Sequence, residues 1–473
     1  MDHILTIMFI ALYLYTLITT ISVLLLENRN PVKSLSWVLV LLFLPVMGLV
    51  FYLIFGQNFK KQKIIKKRVR FPQKLQQNLI NFDQDGTAFI HANQLNLIKL
   101  LIKNSDAGVY CDNKIEILAE GGKTFEAMFE AIRNAKNHIH VEFFIFGNDK
   151  ISNDLRELLI TKAREGVRVR MIYDFWGSFF LSRMYLQTLK DAGVYIRPFL
   201  PLRLRFGRSK INYRNHRKIL IVDGKIGFTG GLNFADRYAF GNALGRWRDT
   251  FVRFEGKAVH GLQQLFLTDW YFVEHKMIED PKYFPAAKKF DKNVVQIVSS
   301  GPDTDWEAIM QGISSAVMSA TKYVYIHTPY FVPNDVIETC LQMAAMSGID
   351  VRLMIPSHSD SKLSDACTSS YLGRALEAGI RVFKYQKGFL HSKAIVIDGV
   401  ISVIGSANLD ERSFNQNFEA NAFIYDNKTA ETLKSLFERD IKNSVELTLE
   451  QWVSRKRKQK LKESWARLFS PLM

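Results

Sequence analysis

Cysteine is almost missing from this chain: Cys111, Cys340 and Cys367 are all that its 473 residues contain. The number is odd, the spacings are wide and no Cys-x-x-Cys occurs. A disulfide framework and a thiolate zinc site are thereby excluded, and a reducing compartment suits the chain. Acidic residues are also short, 46 against 63 basic, and the resulting charge of +17 calls for a polyanionic partner or surface. Nucleic acid and anionic lipid both meet that description. The opening "MDH" has no basic n-region, and no small-residue cleavage site follows the first apolar run, so a secretory signal peptide is a poor reading.

Two stretches lack charge altogether, Ile4 to Leu26 and Leu35 to Phe55. At about 1.5 Å of rise per residue, each can cross a hydrocarbon layer of about 30 Å. Trp37 and Tyr52 stand near the two ends of the second run as interfacial anchors. Residues 1–56 are therefore expected to form a two-helix transmembrane hairpin. Its short connector carries only Arg29 and Lys33 as basic residues, whereas Lys60, Lys61, Lys63, Lys66, Lys67, Arg68 and Arg70 follow the second run. The positive-inside bias then puts the rest of the chain on the cytoplasmic side of a plasma (inner) membrane, multi-pass. Basic clusters beside a span favour anionic lipid over nucleic acid as partner. The C-terminal segment 446–473 is basic too, and Trp465, Leu468, Phe469 and Leu472 give it an apolar stripe suited either to a membrane interface or to packing on the domain.

The remainder reads as one design written twice. Phe125 to Phe146 and Trp306 to Phe331 each show an amphipathic helix running into a strand. Each is followed by a second helix, a Gly turn (Gly166, Gly348), an apolar strand and a third helix. Helices alternating with continuous apolar strands predict an α/β fold whose sheets are covered by helices. The expected halves are 111–282 and 295–445, joined near Tyr283 to Val295. Residues 57–110 read as a connector whose helical part, "NQLNLIKLLIKNS", is expected to pack on the first half.

Each half then reaches the same spaced pattern. It is His216-x-Lys218, Asp223, Gly230-Gly231 and Asn233 in one, and His391-x-Lys393, Asp398, Gly405-Ser406 and Asn408 in the other. Asp-Gly and Gly-Gly alone would be turn chemistry. The whole pattern arises by chance on the order of once in ten thousand chains of this size, and turns explain neither the His nor the Lys. Two imidazoles on opposite sides of a phosphodiester suit its chemistry. One attacks phosphorus and the other gives a proton to the leaving alkoxide. Two lysines, with the Asn side chains, can hold the non-bridging oxygens. His138 and His140 alternate with apolar residues on a strand and read as structural. Glu142 and His327, at equivalent strand positions, are candidates to touch substrate. The basic stretch from Arg203 to Lys218 is a candidate lipid-facing lip.

The two patterns resemble the paired HKD motifs of the phospholipase D superfamily, and "RNHRKILIVDGKIGFTGGLNFADRY", "FLHSKAIVIDGVISVIGSANLDERSFNQNFEAN", "HTPYFVP" and the apolar hairpin resemble its bacterial cardiolipin synthase branch. The resemblance covers nearly the whole chain. It implies phosphatidyl transfer without metal or cofactor, from phosphatidylglycerol to phosphatidylglycerol, giving cardiolipin and glycerol through a phosphatidyl-histidine. It implies His216 as nucleophile, His391 as acid and base, and Lys218, Lys393, Asn233 and Asn408 at the phosphate. Asp249 and Glu419 are implied as the acidic partners of the two His, which leaves Asp223 and Asp398 as the more structural members of the motifs. Gly231 where the second motif has Ser406 makes any hydroxyl contact there one-sided. Hydrolysis to phosphatidic acid, or phosphatidylethanolamine as donor, would use the same chemistry. A nuclease fits less well because two membrane spans are expected, and an inactive membrane scaffold because both motifs are complete.

Overall fold

The computed structural model describes residues 2–26, 31–44, 47, 48, 52, 92–201 and 212–470. The chain divides into two units, Met1–Ile65 with Leu202–Asn212, and Lys66–Pro201 with Tyr213–Met473.

In the small unit, helices Asp2–Leu26 and Pro31–Phe43 pack as a pair. Tyr13 donates its hydroxyl to the Leu41 carbonyl (3.3 Å), and Trp37 meets Tyr52 edge-on at 5.5 Å. Both helices leave large apolar side chains in the open, among them Ile4, Ile7 and Ile18 on the first and Leu35, Leu42 and Phe43 on the second. Among the described residues no helix is long and apolar enough to cross a membrane; the side chains of Asp2–Leu26 are described only in part. Most of the second expected span beyond Leu44, the basic run from Lys60 to Arg70, and residues 202–211 of the expected lip lie outside the described residues.

The large unit holds two mixed sheets, one per half. In the first, the order runs Arg246–Glu255, Ile226–Gly230, Ile219–Val222, His138–Phe143, Arg168–Asp174, Tyr195–Phe199, with Lys114–Glu120 also paired to Arg246–Glu255. In the second it runs Val294–Ser300, Asn417–Tyr425, Ile401–Gly405, Ala394–Ile397, Tyr323–His327, Asp350–Pro356, Arg381–Tyr385, Ser444–Leu447. The central strands are buried at every position, as "ILIV" and "AIVI" require of strands covered on both faces. Helix Gly121–Arg133 shows how: Phe125, Met128, Phe129 and Ile132 recur at helical spacing and are buried on the first sheet. One apolar core lies on the outer face of each sheet. A third is shared between the halves, with Phe266 and Trp270 from helix Ala258–Glu274 and Leu433 and Phe437 from helix Asn427–Ile441.

The helical connector belongs elsewhere than the periodicity suggests. Helix Ala92–Ser105 packs Leu97, Ile98 and Leu101 into the core of the second half, not the first. Gln94 Nε2 donates to the Val400 carbonyl and Asn104 Nδ2 to Gln311 Oε1. The reason is the edge strand Val294–Ser300, which Tyr110–Cys111 covers before the chain enters the first half.

Asp223 and Asp398, candidates for chemistry by their place in the motifs, are turn residues. Asp223-Gly224 (φ 56°, 63°) and Asp398-Gly399 (φ 53°, 72°) stand in the left-handed conformation in three-residue hairpin loops, closed by Lys225 N–H on the Val222 carbonyl and Val400 N–H on the Ile397 carbonyl, both at 3.0 Å. Each carboxylate accepts a fan of backbone N–H groups. For Asp223 these are Lys136, Asn137 and His138 at 2.8, 2.7 and 2.9 Å, and for Asp398 Thr321, Lys322 and Tyr323 at 2.6, 2.8 and 2.8 Å. A four-residue strand of about 3.3 Å per residue separates each from its Lys, so neither reaches the histidines. Asp223→Ala should therefore cost about 2–3 kcal/mol of stability, read by chemical denaturation, while the folded fraction keeps its turnover number. A hundredfold loss of turnover at unchanged stability would speak for a catalytic role instead.

Candidate active site

The site is built by strand exchange. The strand leading into His391, Gly388–Leu390, does not join its own sheet. It pairs with Arg246–Glu255 of the first half, Leu390 opposite Arg248. The strand leading into His216, Arg214–Asn215, pairs with Asn417–Tyr425 of the second half, Phe418 opposite Asn215. Each histidine N–H then reaches a carbonyl of the other half, His391 to Arg248 at 2.8 Å and His216 to Phe418 at 2.9 Å. The next residue along each of those strands is the acid.

The His–acid pairs are therefore crossed. His216 Nδ1 lies 2.9 and 3.0 Å from the two Glu419 oxygens, and His391 Nδ1 lies 2.6 Å from Asp249 Oδ2. Both acids are fully buried. An acid on Nδ1 leaves Nε2 of each ring for the reaction. Both rings line one pocket of about 370 Å³ together with Asn233, Asn408, Arg214, Arg237, Tyr330 and Arg412, among others. Lys218 and Lys393 each donate Nζ to the carbonyl of their own histidine at 2.6 Å, which holds both ammonium groups beside the rings. Phe144 stands edge-on to His216, whereas His391 is walled by Tyr238 and Trp247.

The halves differ in how they hold their acids. Ser406 donates its hydroxyl to Glu419, and Asn417 Nδ2 adds a bond at 3.1 Å. Burial opposes ionisation of Glu419, but His216 and Lys218, with the Ser406 bond, outweigh it and hold the carboxyl below its usual range. Asp249 has no such hydroxyl. Gly231 packs so close that any Cβ there would overlap its carboxylate. Burial lifts Asp249 to about 7, against the pull of Lys393 and the Thr250 N–H. Burial lowers His216 to about 4 and takes His391 well below the imidazole range, Lys393 and Lys218 adding to the latter. Burial also brings Lys218 down to about 7 and Lys393 to about 8.

Glu142 and His327, expected as possible substrate contacts, do not line the pocket. Glu142 is buried and accepts from Asn215 Nδ2 at 2.5 Å, and His327 is buried 3.4 Å from Asp440. A polar network beneath the motifs claims them, including the ion pairs Arg217–Asp269 and Arg248–Asp440. His138 and His140 are bridged by Gln263, and His140 also meets Arg170. Two residues that the repeat itself could have revealed were passed over. Arg237 and Arg412 each stand four positions beyond the motif Asn, and both reach the pocket.

Two α/β halves that lend each other the acid behind an imidazole, with a lysine beside each ring, define a two-histidine protein of phosphodiester chemistry. The comparisons agree. The family description "Cardiolipin synthase, PLD-like domain" matches residues 128–270 and 313–441, and "Phospholipase_D-nuclease N-terminal" matches residues 11–57. A cardiolipin synthase 2 of Bacillus anthracis is 40% identical over 456 residues, 95% of this chain and 89% of that protein. The major cardiolipin synthase of Bacillus subtilis (strain 168) is 37% identical over 471 residues, 98% of each. The phosphatidylserine synthase of Haemophilus influenzae Rd KW20 shares the fold, with a TM-score of 0.60 at 14% identity over 81% of this chain and 100% of that one. The chain belongs to the cardiolipin synthase family of the phospholipase D superfamily.

Proposed function

We propose that this protein moves a phosphatidyl group from one phosphatidylglycerol to another, and the crossed His–acid pairs on one pocket carry that reading. His216 Nε2 attacks phosphorus, the bond to the glycerol oxygen breaks, and His391 gives that oxygen a proton. In the second step the hydroxyl of the second phosphatidylglycerol attacks the phosphatidyl-histidine. His391 takes the hydroxyl proton, the P–N bond breaks, and cardiolipin leaves. Lys218 and Lys393 balance the charge on the non-bridging oxygens, with Asn233 and Asn408 beside them.

The unequal acids support this order. A firmly ionised Glu419 behind His216 fixes a neutral ring with a free Nε2, as a nucleophile needs. Asp249, raised to about 7 and 2.6 Å from its ring, lets the His391 pair share one proton near neutral pH. The rate constant kcat/KM is therefore expected to hold between about pH 5 and 7. Above that it falls as the Asp249–His391 pair loses its proton and Lys218 and Lys393 discharge. A steady-state pH profile without the alkaline fall would count against the assignment.

The membrane belongs to the same reading. The apolar helices Asp2–Leu26 and Pro31–Phe43, with their exposed Ile and Leu side chains, suit a bilayer hairpin, and the basic run after residue 59 suits the cytoplasmic side of its anionic face. Near the pocket, Arg214 lies over Trp176, which stacks on Phe179, and Phe179 and Phe180 are exposed to 57% and 88%. An apolar edge of this kind suits lipids whose acyl chains stay in the bilayer while the headgroup enters. Helix Arg457–Arg467 offers a second: Ala466 packs inward, while Leu461, Trp465 and Leu468 stay exposed among lysines and arginines.

The test is incubation of the purified, detergent-solubilised protein with phosphatidylglycerol in chelator, with products read by mass spectrometry. Cardiolipin with free glycerol is expected. Phosphatidic acid alone would point to hydrolysis, and product only after phosphatidylethanolamine is added would point to a different donor.

A further inference from the structure

The proposed reaction brings two phosphates to one pocket, since the acceptor phosphatidylglycerol carries its own phosphodiester one glycerol away from the attacking hydroxyl. Lys218 and Lys393 serve the phosphate that reacts. The other needs a separate holder, or water and neutral alcohols would compete on equal terms for the phosphatidyl-enzyme.

Three guanidinium groups reach the pocket, Arg214, Arg237 and Arg412. Arg237 is taken up beside His391, lying over the Tyr238 and Trp247 rings at 5.2 and 5.3 Å. Arg214 and Arg412 come together on the His216 side. Arg214 is two residues before His216, and its strand partner is Asn417. Arg412, from the second half, donates Nε to that same Asn417 at 3.4 Å. Arg214 is otherwise held by the Tyr213 carbonyl (2.7 Å) and the Trp176 face. Among the described residues neither guanidinium has a carboxylate within ion-pair distance, although the buried Arg217 and Arg248 nearby each have one.

Two half-buried like charges with no carboxylate in direct ion-pair contact are costly to hold together. Burial and the charge of Arg412 lower the pKa of Arg214 to about 10 despite Asp174. An arrangement of planar forks at a pocket wall, one from each half, is the standard means of gripping a phosphodiester. The pocket carboxylates do not neutralise the pair: Asp360 accepts from Tyr330 (2.8 Å) and Asp410 from the Ser413 N–H (2.6 Å).

We propose that Arg214 and Arg412 form a second anion subsite, which takes the unreacting phosphodiester of the acceptor lipid and so selects an anionic phospholipid over water or a neutral alcohol. This rests on the transfer reading above. When cardiolipin is the substrate in the reverse direction, the same pair holds its distal phosphate.

The test uses the full-length protein in phosphatidylglycerol vesicles supplied with labelled glycerol. Labelled phosphatidylglycerol reports return of the phosphatidyl group to glycerol, which has no phosphate, and cardiolipin reports transfer to the second lipid. Arg412→Gln and Arg214→Gln should each lower the ratio of cardiolipin formation to headgroup exchange by about 30-fold. Both products come from the same folded molecules, so a loss of folded protein cancels in the ratio. An unchanged ratio, whether both rates fall together or neither does, overturns the subsite. Wild-type protein that yields neither product overturns the transfer reading itself.

Discussion

Replacing His391 with Ala is expected to lower phosphatidylglycerol turnover by about 10⁴-fold, yet to leave a single covalent event intact when the leaving group needs no proton. A phosphatidyl ester of p-nitrophenol provides such a leaving group. Given that substrate, His391→Ala should release about one equivalent of p-nitrophenol per site and stall as a phosphatidyl-enzyme, because no base remains to activate the acceptor. His216→Ala should release none. Stopped-flow absorbance measures the burst, and intact-protein mass spectrometry finds the adduct. A burst from His216→Ala and none from His391→Ala would exchange the two roles while keeping the mechanism.

The second large effect concerns the acids, where the crossing makes a prediction that sequence position alone would invert. Glu419 lies in the second half but supports His216, and Asp249 lies in the first half but supports His391. Glu419→Gln is expected to slow the p-nitrophenol burst by about 10³-fold, since a carboxamide cannot hold His216 in the same tautomer or balance its charge on attack. Asp249→Asn should leave the burst within a few-fold of wild type and instead slow the second step, leaving the adduct to accumulate. With His216 established as the nucleophile by the burst of His391→Ala, loss of the burst in Asp249→Asn and its survival in Glu419→Gln would mean that each acid serves the histidine of its own half.

Much of this was legible before any coordinates. Buried strands such as "ILIV" announce a sheet covered on both sides, and the Asp-Gly pairs announce the hairpins that Asp223 and Asp398 close. The two patterns around His216 and His391 marked the pocket because no turn or core requirement explains His-x-Lys. The crossing was not legible. It depends on Gly388–Leu390 and Arg214–Asn215 leaving their own sheets, and strand exchange between similar halves leaves no periodicity behind. The docking of helix Ala92–Ser105 was lost for a related reason, since an amphipathic face says that it is covered and not by what. Glu142 and His327 misled because a buried polar residue on a central strand looks alike whether it serves a network or a substrate.

The crossed acids also bear on how such a chain can change. A twofold dimer of single halves would reproduce the crossing identically on both sides, because an isologous interface repeats every contact. Its two histidines would then be indistinguishable, although the reaction asks for one neutral ring and one protonated ring at the same instant. Each turnover would have to break the symmetry afresh. Joining the halves in one polypeptide frees the copies to diverge, and they have: Gly231 faces Asp249 where Ser406 faces Glu419, and Ser392 stands where the other half has Arg217. The asymmetry that a homodimer would have to find in every catalytic cycle is here inherited in the covalent chain.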